Sequence, residues 1–544
     1  MSTISNLERS KIGKNTPKLY NKIRTTIETA FYRNNVTKIT SLAQAYELAK
    51  NSPGTIVSDL EVHKATELGL PSDTKVLIYN DGAITGRQAQ VRRLIDNENI
   101  DHYARILRES IFNSRSKKMY HAVAYVGLHE DFMVKAHLLI PEGYENTMYS
   151  WMLNFQNQTL EMDQLYNNSK IINEGDVYLY TDPDEFIENF NTGISIFDQE
   201  NNCGSLLGLR YFGEFKKATL TMSWSVASRL NYTACHGGQK RFNLPNNETF
   251  IAGVFGLSGS GKSTITHSKH GGKYDVTVLH DDAFIISNID GSSISLEPAY
   301  FDKVQDYPTD SKDNKYLLTI QNVGATYDIH NKLVPVTEDI TNGNGRAIKS
   351  KYWTKQRAYK FNNKIDAIFW IMKDDTLPPI LKINSSVLAS TLGATLATKR
   401  SSAEHGVNSD ELIIEPYANP FRLYALRNDY NKFKDLFSNT GVDCYVLNTG
   451  YFMDKKITPK ITLGLIEQIV ANNIIFKELG NIEEIKSVDI EGFNPDFSDQ
   501  KYKSLFISRL KSRIDYINNL QGKDILPDES LNSISSIIER VKQS

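Results

Sequence analysis

The chain has 544 residues, enough for two or three domains and with ample apolar sequence to bury. Its 62 Lys and Arg nearly cancel its 64 Asp and Glu, and neither sign gathers into long runs, so composition gives no footing for a nucleic-acid-binding surface. The three cysteines, Cys203, Cys235 and Cys444, lack paired spacing, which argues against a disulfide framework or a Cys-rich zinc site and suits a reducing compartment.

In chain order, the stretch from Pro17 to Ala49 is polar with apolar positions at helical spacing and reads as surface helices. The opening MSTISNLERSKIGKN lacks the apolar core of a secretory signal, and no apolar run reaches the ~18 residues of a membrane span, so a cytoplasmic protein with no membrane partner is expected. From Val76 to Leu230 short β-rich runs dominate, among them KVLIYND, YHAVAYVGL, KAHLLI, DVYLYTD and TLTMSWSVA, and predict a mixed sheet. The polar stretch GGQKRFNLPNNE marks a domain boundary near residue 245, giving an N-terminal domain over 1–245 and a C-terminal domain over 246–544. Further strand-like runs at VTVLHDD, YLLTIQNV, DAIFWIM and DCYVLNTG alternate with helical stretches and predict an α/β, mixed α+β fold, with amphipathic helices such as YKSLFISRLKSRIDYINNL closing the chain.

The strongest local signal is Gly256-Leu257-Ser258-Gly259-Ser260-Gly261-Lys262-Ser263, a full G-x-x-x-x-G-K-[ST] match followed by Thr264 and preceded by the strand-like FIAGVF. Glycines at 256, 259 and 261 let backbone N–H groups face phosphate oxygens, Lys262 spans the β- and γ-phosphates, and the Ser263 hydroxyl ligates Mg²⁺. A second strand-like run, Val276–Leu279, ends in His280-Asp281-Asp282, which places two carboxylates where hard Mg²⁺ or Mn²⁺ takes oxygen ligands.

These residues resemble the ATP-using phosphoenolpyruvate carboxykinases, whose loop reads GLSGTGKTT, and the likeness continues along the chain in the family's order. Thr85-Gly-Arg87 looks like the start of the family's TGRSPKDKF, Tyr211-Phe-Gly-Glu-Phe-Lys-Lys217 like YAGEMKK, and Ala234-Cys-His236 like its metal-binding histidine motif. Downstream, HDD resembles GDD, Gln321-Asn-Val323 resembles ENV, Gly345-Arg346 falls where the family has an active-site arginine, and Leu377-Pro-Pro379 and Val446–Gly450 resemble LPP and VNTG. The chain departs from the pattern after Arg87, where QAQVRR replaces SPKDKF, after Asp282, where Ala-Phe replaces an acid and a histidine, and after Arg346, where AIKSKYW replaces a YP motif.

The resemblance implies two domains, one for substrate and one for nucleotide, with an active-site cleft between them; a monomer is the expected oligomeric state. It implies that Arg87 binds the substrate carboxylate or CO₂, that Tyr211 stacks near the substrate, and that Lys217, His236 and Asp282 hold Mn²⁺. It further implies that Ser258, Lys262 and Ser263 hold ATP and Mg²⁺, that Asp281 supports the metal shell, and that Arg346 neutralises the phosphoryl in flight. The implied reaction converts oxaloacetate and ATP reversibly to phosphoenolpyruvate, CO₂ and ADP. A phosphate-loop kinase acting on a hydroxyl and a catalytically silent nucleotide-binding regulator are the competing readings.

Overall fold

A computed structural model of the protein describes residues 22–80, 92–257, 259–304, 308–338, 345–399 and 411–543. They separate into two compact units. One holds the chain as far as Val226 together with Leu296–Lys355; the other holds Ala227–Ser295 and everything described from Gln356 onward. This division is interleaved, unlike a single cut near residue 245. The reason lies in strand pairing, because Leu296–Lys355 supplies strands Tyr300–Lys303, Leu317–Gln321 and Arg346–Lys349 to a sheet shared with Lys75–Tyr79 and Thr55–Glu61.

Within the first unit, a second and larger sheet runs in the order Val36–Lys38, Met119–His129, Phe132–Pro141, Val177–Asp182, Cys203–Leu207, Ile194–Asp198 and Arg92–Leu94. The N-terminal helices Lys22–Phe31 and Ile100–Asn113 do not lie idly on its surface: Ile23, Ile27, Phe31, Ala104 and Leu107 are buried with Leu139, Ile194 and Leu207 in one core. The run TLTMSWSVA, which reads as a strand from its β-branched content, is instead the heart of an 18-residue helix, Phe212–Arg229. Its hydroxyls turn back on the helix itself, with Thr219, Ser223 and Ser225 each donating to the carbonyl four residues earlier. Polar side chains satisfied in this way can be buried all round a helix, and tertiary burial overrides propensity.

The second unit is built on the order Asp275–His280, Gly238–Asn243, Thr249–Phe255, Ala367–Met372, Asp443–Asn448, Ile380–Ile383, Ile482–Ser487 and Lys477–Leu479. Its centre is parallel, with Val254 opposite Phe369 and Trp370 opposite Val446. The sequences AIFWIM and DCYVLN are near-continuous apolar runs because such strands are covered on both faces, here by core clusters around Trp370 and Phe433 and around Phe369 and Leu465. Three parallel strands therefore end together, and the segments leaving them meet at one edge: the phosphate loop after Phe255, Lys373-Asp374 after Met372, and Thr449-Gly450 after Asn448. That is the edge at which open α/β sheets bind ligands. All three cysteines are buried and none is in a disulfide, and no described helix is long and apolar enough to cross a membrane.

Candidate active site

The phosphate loop leaves the strand Thr249–Phe255 and enters a short helix, Lys262–His267. Gly259 and Gly261 adopt φ of 79° and 96°, which an L side chain resists. A Cβ on Gly256 would collide with the Ser260 hydroxyl. Lys262 is buried, whereas Ser263 and Thr264 face solvent where a bound group can reach them. The loop is held from two sides, by Lys373 Nζ donating to the Gly259 carbonyl at 2.9 Å and by the Thr449 hydroxyl donating to the Ser260 carbonyl at 2.9 Å.

The two motifs LPP and VNTG are one structural feature. Asn448 is fully buried, and its amide nitrogen lies 2.9 Å from the Asp374 carbonyl, 2.6 Å from that of Leu377 and 2.8 Å from that of Tyr451. Its Oδ1 accepts from the Gly450 amide.

The strand Tyr232–His236 pairs antiparallel with Ala283–Ser287, His236 opposite Ala283, and the Gly237 amide donates to the Asp282 carbonyl. This register brings His236 Nε2 to 3.1 Å from Asp282 Oδ1, with Lys262 Nζ 3.4 Å from the same oxygen. Asp281 points elsewhere. Its Oδ2 is 3.2 Å from His267 Nε2 at the end of the phosphate-loop helix. Burial works against its ionisation, but the hydrogen bond and charge of His267, with His280 and Lys262 behind it, prevail and hold the carboxyl well below the usual range. His280 Nδ1 accepts from the amides of Asp282 and Ala283 and so fixes the turn that splays the two acids.

His236 and Asp282 fit a divalent cation by the chemistry of their donors. The His236 Nδ1 abuts the carbonyl of Ala418, and Nε2 is left facing Asp282. An imidazole nitrogen beside a carboxylate oxygen is a donor pair that a divalent cation takes, and a backbone carbonyl behind a ligating imidazole is the usual support. Phe421 packs edge-on against the imidazole, centroids 5.3 Å apart. Among the described residues no group of three His, Cys, Asp or Glu gathers as a metal cage, so further ligands must be of other kinds, such as lysine, hydroxyl, phosphate or water.

In the first unit, the helix Phe212–Arg229 begins at the expected Tyr211–Lys217 segment. Arg346 opens its strand paired with Lys303 on one side and Gln321 on the other, is buried, and bonds the Gly345 carbonyl at 2.9 Å. Tyr211 meets it: burial drives the phenol's pKa up, while the charge and hydrogen bond of Arg346 oppose the rise. The phenol is thereby kept neutral. Lys217 lies partly buried, its ammonium 5.9 Å from the Trp224 ring. Its neighbour Lys216 is fully buried in an ion pair of 3.0 Å with Glu297, whose other oxygen accepts from Asn154. Arg92 reaches Glu214 at 3.3 Å. Arg87 and Ser258 lie outside the described residues.

The structure thus gathers Tyr211 with Arg346 in one unit, and His236, Asp282 and Lys262 in the other. Glu297, His267 and Ala418 had no sequence signal of their own, since each acts through a partner distant in the chain.

Residues 47–489 match the phosphoenolpyruvate carboxykinase family. The chain belongs to the phosphoenolpyruvate carboxykinase (ATP) family. It is 23% identical over 349 residues, 61% of this chain and 70% of the relative, to a phosphoenolpyruvate carboxykinase (ATP) of Aeropyrum pernix. Family membership covers both units and accounts for the common order of the loop, the HDD turn and the Asn448 knot along the chain.

Proposed function

We propose that the protein converts oxaloacetate and ATP to phosphoenolpyruvate, CO₂ and ADP, reversibly, with Mg²⁺ on the nucleotide and Mn²⁺ at His236, Asp282 and Lys217. The observation that carries the reading is the convergence of Lys262 and His236 on one oxygen of Asp282. It couples a triphosphate-binding lysine to a ligating imidazole, a combination a simple hydroxyl kinase has no need of.

In this reading the C–C bond to the leaving carboxylate breaks, its electron pair forms the enolate of pyruvate, and the enolate oxygen attacks the γ-phosphorus as the bond to ADP opens. Both steps build negative charge on oxygen, and fixed cations stabilise it without reorganising. When bound, the divalent metals supply Lewis acidity to the carbonyl and phosphoryl oxygens. Lys262 leaves Asp282 for the β- and γ-phosphates. Gly256, Leu257, Ser258, Gly259, Ser260 and Gly261 wrap the phosphates, and Ser263 and Thr264 present hydroxyls to them. Asp281, held ionised, keeps His267 and the end of the helix in place. Tyr211, un-ionised, and Arg346 act on the substrate and the phosphoryl in flight, and Arg87 takes the substrate carboxylate.

A coupled assay on the purified protein tests this in both directions, from oxaloacetate with ATP and from phosphoenolpyruvate with bicarbonate and ADP. Phosphoenolpyruvate formation in the first and its consumption in the second are expected. Silence in both, in protein that binds ATP, would leave a nucleotide-binding protein with a different acceptor or none.

A further inference from the structure

The family match ends at residue 489, yet a helix beyond it, Gln500–Asn518, reaches the phosphate loop through two steps of contact. The helix starts at Asp499, whose side chain caps the amides of Lys501 and Tyr502. Three of its side chains grip the turn Asp374–Thr376. The Tyr502 hydroxyl donates to the Thr376 carbonyl at 2.8 Å, Arg509 meets Asp375 at 3.1 Å, and Arg513 meets Asp374 at 3.3 Å. Arg513 and Asp374 are almost wholly enclosed, and the guanidinium also donates to the Thr395 carbonyl and lies against the Met372 sulfur.

The turn they grip sits at the end of the strand beside the phosphate-loop strand. Lys373, one residue before it, donates to the Gly259 carbonyl, and Asn448, which bonds the Asp374 and Leu377 carbonyls, leads into Thr449, which donates to the Ser260 carbonyl. One tether, Lys373, adjoins the turn that Arg513 holds, and the other, Thr449, follows Asn448, whose amide bonds that turn. A buried ion pair contributes little net stability compared with an apolar replacement, but it fixes one arrangement, since a lone buried charge is costly. Placed two contacts from a nucleotide loop, its value is positional.

We infer that the C-terminal helix Gln500–Asn518 is a clamp that sets the phosphate loop for nucleotide, with Arg513 and Tyr502 as positioning residues acting through Asp374–Thr376, Lys373 and Thr449. The inference rests on the loop binding a nucleoside triphosphate and is independent of which acceptor receives the phosphoryl group.

The test uses the full chain and measures ATP binding by isothermal titration calorimetry with Mg²⁺, alongside hydrogen exchange of the ligand-free protein, for Tyr502→Phe, Arg513→Lys and the solvent-facing control Lys511→Ala. Arg513→Lys is expected to weaken ATP binding about tenfold, the ordinary size of coupling between linked sites, and Tyr502→Phe by a smaller factor. Exchange should quicken at Gly259–Lys262 and stay unchanged in the strand Asp275–His280. Should Arg513→Lys fail to fold, Tyr502→Phe, which removes a single hydroxyl, carries the test alone. Folded variants that bind ATP as tightly as wild type, or equal weakening by Lys511→Ala, would overturn the clamp. Wild-type protein that binds no ATP would overturn the nucleotide reading itself, and the clamp with it.

Discussion

Replacing Asp282 by asparagine should have opposite effects on two ligands. The Lys262 ammonium lies 3.4 Å from Asp282, with both side chains largely buried. Two unit charges at that distance attract by about 5 kcal/mol at an effective dielectric constant near 20, and desolvation leaves about 1–2 kcal/mol of it as net pairing. Lys262 must give up this pairing to reach a triphosphate, and the carboxylate also repels the incoming phosphates. Asp282→Asn keeps the shape and removes both penalties, so metal-free ATP should bind about five- to thirtyfold more tightly, the equivalent of 1–2 kcal/mol. The same change deprives a cation of its charged oxygen, so Mn²⁺ binding should weaken by more than about tenfold. Calorimetry with ATP in EDTA, and electron paramagnetic resonance of free Mn²⁺, read the two effects separately. Metal-free ATP affinity that is unchanged or weaker in Asp282→Asn would refute the reasoning that Asp282 restrains Lys262.

Three other outcomes are expected from the same geometry. Asn448→Ala leaves the buried carbonyl of Leu377 without its donor and takes one of two donors from that of Asp374, which also accepts from the Leu377 amide; at roughly 1–3 kcal/mol for an orphaned group the loss should be about 1–3 kcal/mol, and an unchanged urea midpoint would contradict this role of Asn448. His236→Gln should weaken Mn²⁺ binding by more than about tenfold while ATP still binds, and an unchanged Mn²⁺ titration would take His236 out of the metal shell. His270 is pushed down to about 4 by its burial and then by the Lys240 ammonium, with Glu467 opposing. A base with a depressed folded pKa binds fewer protons folded than unfolded, so its stability is fully present above its ordinary value of 6.5 and is lost as pH falls toward about 4. Wild type should therefore lose stability more steeply than His270→Gln across that window, and parallel pH profiles would be the contrary result.

What the sequence discloses and what it hides divide along sequence distance. The phosphate loop is contiguous, glycines stand at its positive-φ positions 259 and 261, and it comes directly after an apolar strand, so its place is readable. The HDD turn is readable as a pair of acids, but not the split between them, because that depends on His267 and on His280 capping the turn with its own ring nitrogen. The carbonyl that backs His236 Nδ1 belongs to Ala418, 182 residues away. Lys216 and Lys217 look alike in sequence, and only the fold shows that the first is buried against Glu297. The interleaved units escape a linear reading because Leu296–Lys355 carries ordinary strand patterns whose partners, such as Lys75–Tyr79, lie far upstream. The buried helix at Phe212–Arg229 escapes because its threonines and valine favour strands until their hydroxyls and tertiary contacts are counted.

Under the proposed function, Lys262 and its loop deliver the γ-phosphoryl of ATP to an enolate oxygen. Phosphorus NMR of wild-type protein with oxaloacetate, ATP, Mg²⁺ and Mn²⁺ reads that transfer directly. A growing phosphoenolpyruvate resonance matched by ADP is expected, and its disappearance in Lys262→Ala protein that keeps its fold. ADP that accumulates with inorganic phosphate and no phosphoenolpyruvate, or transfer undiminished in Lys262→Ala, would contradict it.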